Sequence, residues 1–376
     1  MIPFARMLEY GNDIVQVQIR KALGGTNSAF ILYDDGRLFG AGSNTNAELG
    51  LGNYTGWNGA TPKWTLIQED VLDVWAGKFA YGVVTKVGSE LYYTGNANAR
   101  NISGTTSFYY TRTSLNLVQA IGVNFEIVDV CMNRLGIFVL VQLDDGTRKI
   151  YVCGNRNYIG TGGVGSTDMI LSTGVSSTDI LQIGCTSNAF YYLTSSGELY
   201  GTGINASNQL STDATNKTYT SYERQGTQLF DSFSTGNTNY IAKSGSSLYC
   251  RGLNNNHAIS SLNITPLTVP TLESSVNLLP ESNLVGGGST ASVYINGSTE
   301  IYGIGLANSM IPGASTVTEW TMFDTKGIDF SNYNSSNNNS FYGSGYNWYM
   351  VNSYSTVGIV GDIQSNGSFK LPLTLT

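Results

Sequence analysis

Residues 28–53 read SAFILYDDGRLFGAGSNTNAELGLGN, and the order of residue types in this stretch decides the architecture. Phe30-Ile31-Leu32-Tyr33 is a short run of β-favouring side chains, Asp35-Gly36 supplies a tight turn, and a second run ends on Gly42 before a polar Gly/Asn loop. Two short strands closed by such a turn make an antiparallel hairpin. The same order returns in YGVVTKVGSELYYTGNAN (81–98), where Glu90-Leu91-Tyr92-Tyr93 again suggests apolar/polar alternation, and in FVLVQLDDGTRKIYVCGNRN (138–157). Four further copies follow, at 190–210, 240–256, 293–309 and, more weakly, 348–366.

Each copy ends on an anchor glycine: Gly42, Gly95, Gly154, Gly203, Gly252, Gly305 and Gly361. Their spacings are 53, 59, 49, 49, 53 and 56 residues, so seven units use up a chain of 376 residues. A unit of about 50 residues with roughly four short strands is one propeller blade, which cannot bury both faces of its sheet alone. The expectation is an all-β chain: one seven-bladed β-propeller domain over residues 1–376. Glycine fits the anchor because the chain there needs small volume or positive φ. Asn44, Asn96, Asn155, Asn205, Asn254 and Asn308 follow the anchors closely, and amide side chains can bond the backbone of an outgoing turn. At the ends, IVQVQI (14–19) resembles the strands before later hairpins, VLDVWAG (71–77) and EIVDVC (126–131), whereas FKLPLTLT (369–376) resembles an outer strand. N- and C-terminal strands sharing one sheet would close the ring and remove an exposed edge.

Composition agrees. With 45 Gly, 7 Pro and 12% charged residues the chain lacks the Lys, Glu and Arg that cover helices, while 41% hydrophobic residues are too many for a disordered chain. No apolar run reaches the ~18 residues of a membrane span, so no membrane insertion is expected. A net charge of −7 removes the electrostatic footprint of a nucleic-acid binder. The N-terminus has neither the basic start nor the apolar run of a signal peptide. Cys131, Cys153, Cys185 and Cys250 have no zinc spacing and read as small buried apolar residues.

The run DGRLFGAGSNTNAELGLGN (35–53) resembles the repeat of the regulator of chromosome condensation family, a pattern of turn Gly, anchor Gly, Asn and a Gln-Leu-Gly-Leu-Gly ending. Asn208-Gln209-Leu210 is a fragment of the same ending, and elsewhere the hairpin, the glycine and the asparagine carry the likeness. The resemblance implies a seven-bladed propeller. The family's founding activity is nucleotide exchange on a small GTPase together with chromatin binding through a basic tail, which this sequence does not show. Other propellers of this repeat are interaction platforms, including a secreted β-lactamase inhibitor. Fold alone does not choose among these roles.

Catalytic patterns are weak. The single histidine, His257, lies in an Asn-rich loop without a nucleophile elbow. GTGGVG (160–165) satisfies a dinucleotide fingerprint formally but no helical segment follows it. Asp34-Asp35-Gly36 and Asp144-Asp145-Gly146 occupy the same turn in two repeats and read as turn residues, not calcium ligands. No catalytic residue, metal or cofactor is expected. The 24 Tyr and 36 Asn instead give a mixture common at binding surfaces, large rigid contact area beside adaptable hydrogen bonds. Aromatic residues in or beside loops single out Tyr54 and Trp57, then Phe108, Tyr109, Tyr110 and Arg112 in the longest interval, and Tyr333, Phe341 and Tyr342 in the seventh unit. Those nine are the candidate partner contacts.

The reading that follows is a non-enzymatic binding or structural protein. Low charge and richness in Asn, Gly, Ser, Thr and Tyr resemble bacteriophage virion proteins, which points to a tail-associated, decoration or host-adhesion component. Its partners would be other virion proteins or a host surface receptor, with homo-oligomerisation inside the assembly, and its place the virion. The alternative is a cellular interaction module, a GTPase exchange factor or an enzyme inhibitor.

Overall fold

A computed structural model describes residues 19–24, 28–42, 44–53, 64–77, 82–100, 108–175, 179–212, 218–287, 291–297, 300–305, 316–323, 341–344, 347–352 and 356–361, with short strands at 9–10 and 13–14. It is all-β, with six four-stranded antiparallel sheets and little helix. The two-residue strands β1 (Glu9–Tyr10) and β2 (Asp13–Ile14) pair with each other. Sheet I is β3 (Ile19–Gly24), β4 (Ser28–Tyr33), β5 (Leu38–Gly42) and β6 (Thr65–Gln68). Sheet II is β7 (Asp73–Ala76), β8 (Gly82–Val87), β9 (Glu90–Asn96) and β10 (Phe108–Ser114). Sheet III is β11 (Phe125–Asn133), β12 (Gly136–Leu143), β13 (Arg148–Gly154) and β14 (Ser166–Leu171). Sheet IV is β15 (Ile180–Cys185), β16 (Ala189–Thr194), β17 (Leu199–Ile204) and β18 (Thr218–Arg224). Sheet V is β19 (Ser232–Thr235), β20 (Asn239–Ser244), β21 (Ser247–Gly252) and β22 (Leu267–Glu273). Sheet VI is β23 (Asn283–Gly287), β24 (Ala291–Asn296), β25 (Glu300–Gly305) and β26 (Val317–Phe323). A three-stranded sheet VII follows, of β27 (Phe341–Ser344), β28 (Asn347–Asn352) and β29 (Thr356–Gly361).

The anchor glycines have one structural role. In all seven sheets the anchor lies opposite the first residue of the second strand: Gly42 with Ser28, Gly154 with Gly136, Gly203 with Ala189, and Gly361 with Asn347. Gly154 has φ 138° and Gly203 φ 116°. That conformation turns the next N–H back onto the carbonyl preceding the second strand, Asn155 to Leu135 and Ile204 to Asn188, each at 2.8 Å. A Cβ would collide with that carbonyl oxygen. The aspartate turns also behave as read: Gly36 and Gly146 have φ 84° and 80°, and Asp35 and Asp145 accept the N–H groups of Arg37 and Thr147.

Apolar/polar alternation gives way to a different pattern. Along β12, Ile137, Val139 and Val141 pack toward sheet II, while Phe138 and Leu140 pack toward sheet IV. Along β16, Phe190 and Tyr192 face sheet III, and Tyr191 and Leu193 face sheet V. Successive side chains leave opposite faces of a strand, and here both faces are covered, so β12 and β16 are apolar at consecutive positions from Ile137 to Val141 and from Ala189 to Leu193. Phe138 and Phe190 stack across the III–IV boundary with centroids 3.7 Å apart. Cys153, Cys185 and Cys250 are buried in these interfaces, Cys131 packs beside them, and all four are free.

First strands of successive sheets are neighbours: β3 lies beside β7, then β7 by β11, β11 by β15, β15 by β19, β19 by β23, and β23 by β27. Strands β27 and β28 lie beside β3. The described part of the strand opposite Ser28–Tyr33 is Ile19–Gly24, which starts at the last residue of IVQVQI, while residues 15–18 of that run lie outside the described residues. Strands β1 and β2 pair with no strand of sheet VII among the described residues, and FKLPLTLT lies outside them. No helix in the described residues is long and apolar enough to cross a membrane.

Candidate functional site

The loops after the anchors of sheets I, IV and V are built around a buried asparagine. Asn205 Oδ1 accepts the N–H groups of Leu210 and Ser211 at 2.8 and 3.0 Å, and its Nδ2 donates to the Ser211 carbonyl. Asn254 does the same for Ile259 and Ser260, and Asn44 for Leu49. Leu49, Leu210 and Ile259 are thereby pressed into the core. Glu48 and Gln209 accept the N–H two residues before them, which explains the Glu/Gln-Leu ending of the repeat. The motif is therefore structural in sheets I and IV, and Asn254 preserves its geometry in sheet V without the sequence signature. Replacing Asn205 by leucine should cost about 2–4 kcal/mol, since several buried backbone groups lose their partner; equilibrium denaturation of the variant measures it.

The aromatic candidates do not form one cluster. Phe108 to Arg112 lie in β10, the outer strand of sheet II, where Phe108 pairs with Asn96 and Tyr109 with Gly95 before an irregularity. Their β-favouring side chains extend the sheet instead of a loop. Tyr109 packs on the II–III core, edge-on to Tyr93 at 6.0 Å and beneath the Arg100 guanidinium at 4.8 Å. Arg112 is exposed and lies over the Tyr92 ring at 5.4 Å. Phe341 and Tyr342 fall in β27, a first strand, opposite Met350 and Tyr349. Tyr54, Trp57 and Tyr333 lie outside the described residues.

A polar belt on the first strands carries no sequence motif. Lys21, Asp73, Asp129, Gln182, Ser232 and Asn283 each stand opposite the fifth residue of their second strand: Leu32, Lys86, Leu140, Leu193, Lys243 and Ile295. Lys21, buried, pairs with Asp73 at 2.9 Å and lies over Trp75 at 4.8 Å. Gln182 exchanges two hydrogen bonds with the Phe233 backbone of sheet V. Burial pushes the Asp129 carboxyl up to about 7, with the Val130 N–H and Lys21 opposing and Asp73 adding to the rise. The folded chain therefore keeps a proton that the unfolded chain has lost between about pH 4 and pH 7. Stability should fall with rising pH across that window and level off above it. Asp129→Asn should remove this slope and raise stability at pH 8 by about 2 kcal/mol relative to wild type, read from urea denaturation at both ends of the window.

Nothing in these arrangements resembles a catalytic constellation. GTGGVG is a set of turns leading into strand β14, and His257 Nδ1 lies 3.2 Å from the Ser260 carbonyl. Among the described residues no group of three His, Cys, Asp or Glu is placed to hold a metal.

No protein family and no curated protein matches the chain by sequence. Solved structures do match. Human WBSCR16 superposes with a TM-score of 0.68 over 87% of this chain and 89% of its own, at 13% identity. Prp20p from Saccharomyces cerevisiae, described for its binding to Gsp1p and histones, gives 0.63 over 82% and 77%, at 16% identity. The yeast RCC1 protein bound to Kap60 gives 0.62 over 82% and 75%, at 17% identity. The chain thus has the fold of propellers of the regulator of chromosome condensation type, with strongly diverged repeats.

Proposed function

We propose that this chain is a non-enzymatic protein-binding propeller, a single domain of seven blades closed into a ring, serving as a structural component of a bacteriophage particle. The carrying observation is the run of first strands from β3 through β27 and back to β3, which supports a closed, rigid disc on which loops and outer strands are held for contact. Similarity in fold to Prp20, whose partners are proteins, supports protein over small-molecule recognition. Low charge and Asn/Tyr richness support the particle assignment. Tyr54, Trp57, Phe108, Tyr109, Tyr110, Arg112, Tyr333, Phe341 and Tyr342 are the proposed contacts, with other virion proteins or a host surface receptor as partner. Of the described side chains, the exposed Arg112 is the most available and Tyr109 the least.

Quantitative mass spectrometry of purified particles tests this reading: the chain should be present at a fixed ratio to a major particle protein. Recovery only as a free monomer in lysate would remove the particle assignment. Tight capture of a GTPase or a hydrolase would instead establish a cellular exchange factor or inhibitor.

A further inference from the structure

Each sheet has two ends. The turns between second and third strands lie at one end with the connections that lead from each fourth strand into the next sheet. Hydrogen bonds tie the two together, Val71 to the Gly36 carbonyl, Phe230 to Gly197 and Leu278 to Ser246. Turns between first and second strands lie at the opposite end, where they bond from sheet to sheet, as Ser187 does to the Asn237 carbonyl.

The first end has an unusual surface. Among the described residues, every connection entering sheets II to VI, including the first residues of the strand it feeds, exposes at least one large apolar side chain: Leu72, Val118 and Val123, Leu181, Leu229, and Leu279, each between 42% and 60% exposed. Solvated connections have no need of such residues, and their recurrence in five successive connections is not random scatter. Around them stand exposed carboxylates, among them Glu69, Asp70, Glu126, Asp144, Asp231 and Glu281. Among the described residues, cations at this end are largely engaged. Arg37 is held by Asp35 at 2.6 Å, Arg224 by Glu198 at 3.1 Å, Arg148 donates to the Ile180 carbonyl, and Lys243 is sunk against the carbonyls of Leu279, Pro280 and Ser282. Arg20, Lys86 and Lys149 remain against a larger number of carboxylates. The opposite end instead exposes Arg134 and Arg156.

We propose that the end carrying Leu72, Leu181 and Leu229 is a docking surface for a basic protein segment, one that presents Lys or Arg to the carboxylates and apolar side chains to the leucines. This rests on the protein-binding reading and names the face and the partner chemistry. Charge complementarity selects a basic partner: the carboxylates repel an anionic membrane or an acidic protein and steer a cationic one. The leucines supply the short-range anchors that charge alone lacks.

The probe is a fluorescent peptide of alternating lysine and leucine, about twelve residues long, titrated by anisotropy beside a glutamate–leucine counterpart. Binding should occur for the lysine peptide only and should weaken as salt rises. Leu72→Ser/Leu181→Ser/Leu229→Ser should weaken it about tenfold, and Glu69→Gln/Asp70→Asn/Glu126→Gln/Glu281→Gln by a similar factor with a flatter salt dependence. Val164→Ser and Ile264→Ser, exposed at the opposite end, should leave it within about twofold. All these side chains are at the surface, so melting temperatures serve as a control for folding. Absent binding, equal binding of the acidic peptide, or equal loss in the controls would overturn the proposal. Light scattering that shows stacking of copies through this end would overturn it too, by making the occupant a second copy. If a natural partner binds but neither variant set affects it, this face is refuted while the protein-binding reading stands.

Discussion

Replacing Gly154 by valine should destabilise the protein by about 3–5 kcal/mol, enough to lower the yield of folded chain. At φ 138° an L-residue is strained by about 1–3 kcal/mol, and a β-branched one suffers most. The new Cβ would also meet the Leu135 carbonyl and the Gly136 Cα, and neither can yield without breaking the Asn155 to Leu135 hydrogen bond. Ile159 also lies 3.1 Å from that Cβ position, so the new side chain is crowded from a third direction. Gly146→Asn is the matched comparison: its φ is 80°, nothing lies near its Cβ, and asparagine tolerates that region, so the cost should stay below about 1 kcal/mol. Thermal melts of the two variants separate the collision from the backbone conformation. Equal losses would mean that close approach plays no part.

Phe138→Ala should cost a further-reaching 3–5 kcal/mol. Phe138 and Phe190 are fully buried and stacked, and they are the largest pair joining sheets III and IV. Truncation empties that interface, because neighbouring side chains are already committed to it. In an open stack of sheets the damage would let the two halves fray apart, whereas in a closed ring the halves stay joined through sheets VII and I. Hydrogen exchange distinguishes these. Protection lost mainly in β12 and β16 supports closure, and two blocks with independent protection would argue for an open array.

The repeat was legible because positive φ against a neighbouring carbonyl admits little besides glycine, so Gly154 and Gly203 leave a mark that spacing recovers. The Asn44 and Asn205 loops were legible for a related reason, since a buried amide bonding a whole turn has few substitutes. The first strand of sheet I was legible only at Ile19, because Lys21 and Arg20 in Ile19–Gly24 interrupt the apolar pattern and only pairing with Ser28–Tyr33 reveals the strand. Phe108 to Arg112 read as in or beside a loop of the longest interval, and their local preference for extended backbone places them in the strand that follows residues 101–107. The polar belt was hidden by irregularities at Arg20, Val128 and Leu181, which shift Lys21, Asp129 and Gln182 into equivalence that no fixed offset reveals. Asp70 and Glu126 look like ordinary surface carboxylates one at a time; their common end becomes visible only when the sheets are aligned.

Covering both faces of sheets III and IV has one consequence for how strands find their partners. In a sheet with one wet face, sliding a strand by a single residue drives its apolar set into water, and that penalty polices the alignment. Strand β16 has no such guard, since a slip would hand Tyr191 to the side of Phe190 and remain oily throughout. What polices the alignment instead is the glycine at the far end of the hairpin: displaced by one place, Gly203 would leave a side chain facing the Asn188 oxygen. The residue with no side chain is thus the one that keeps count.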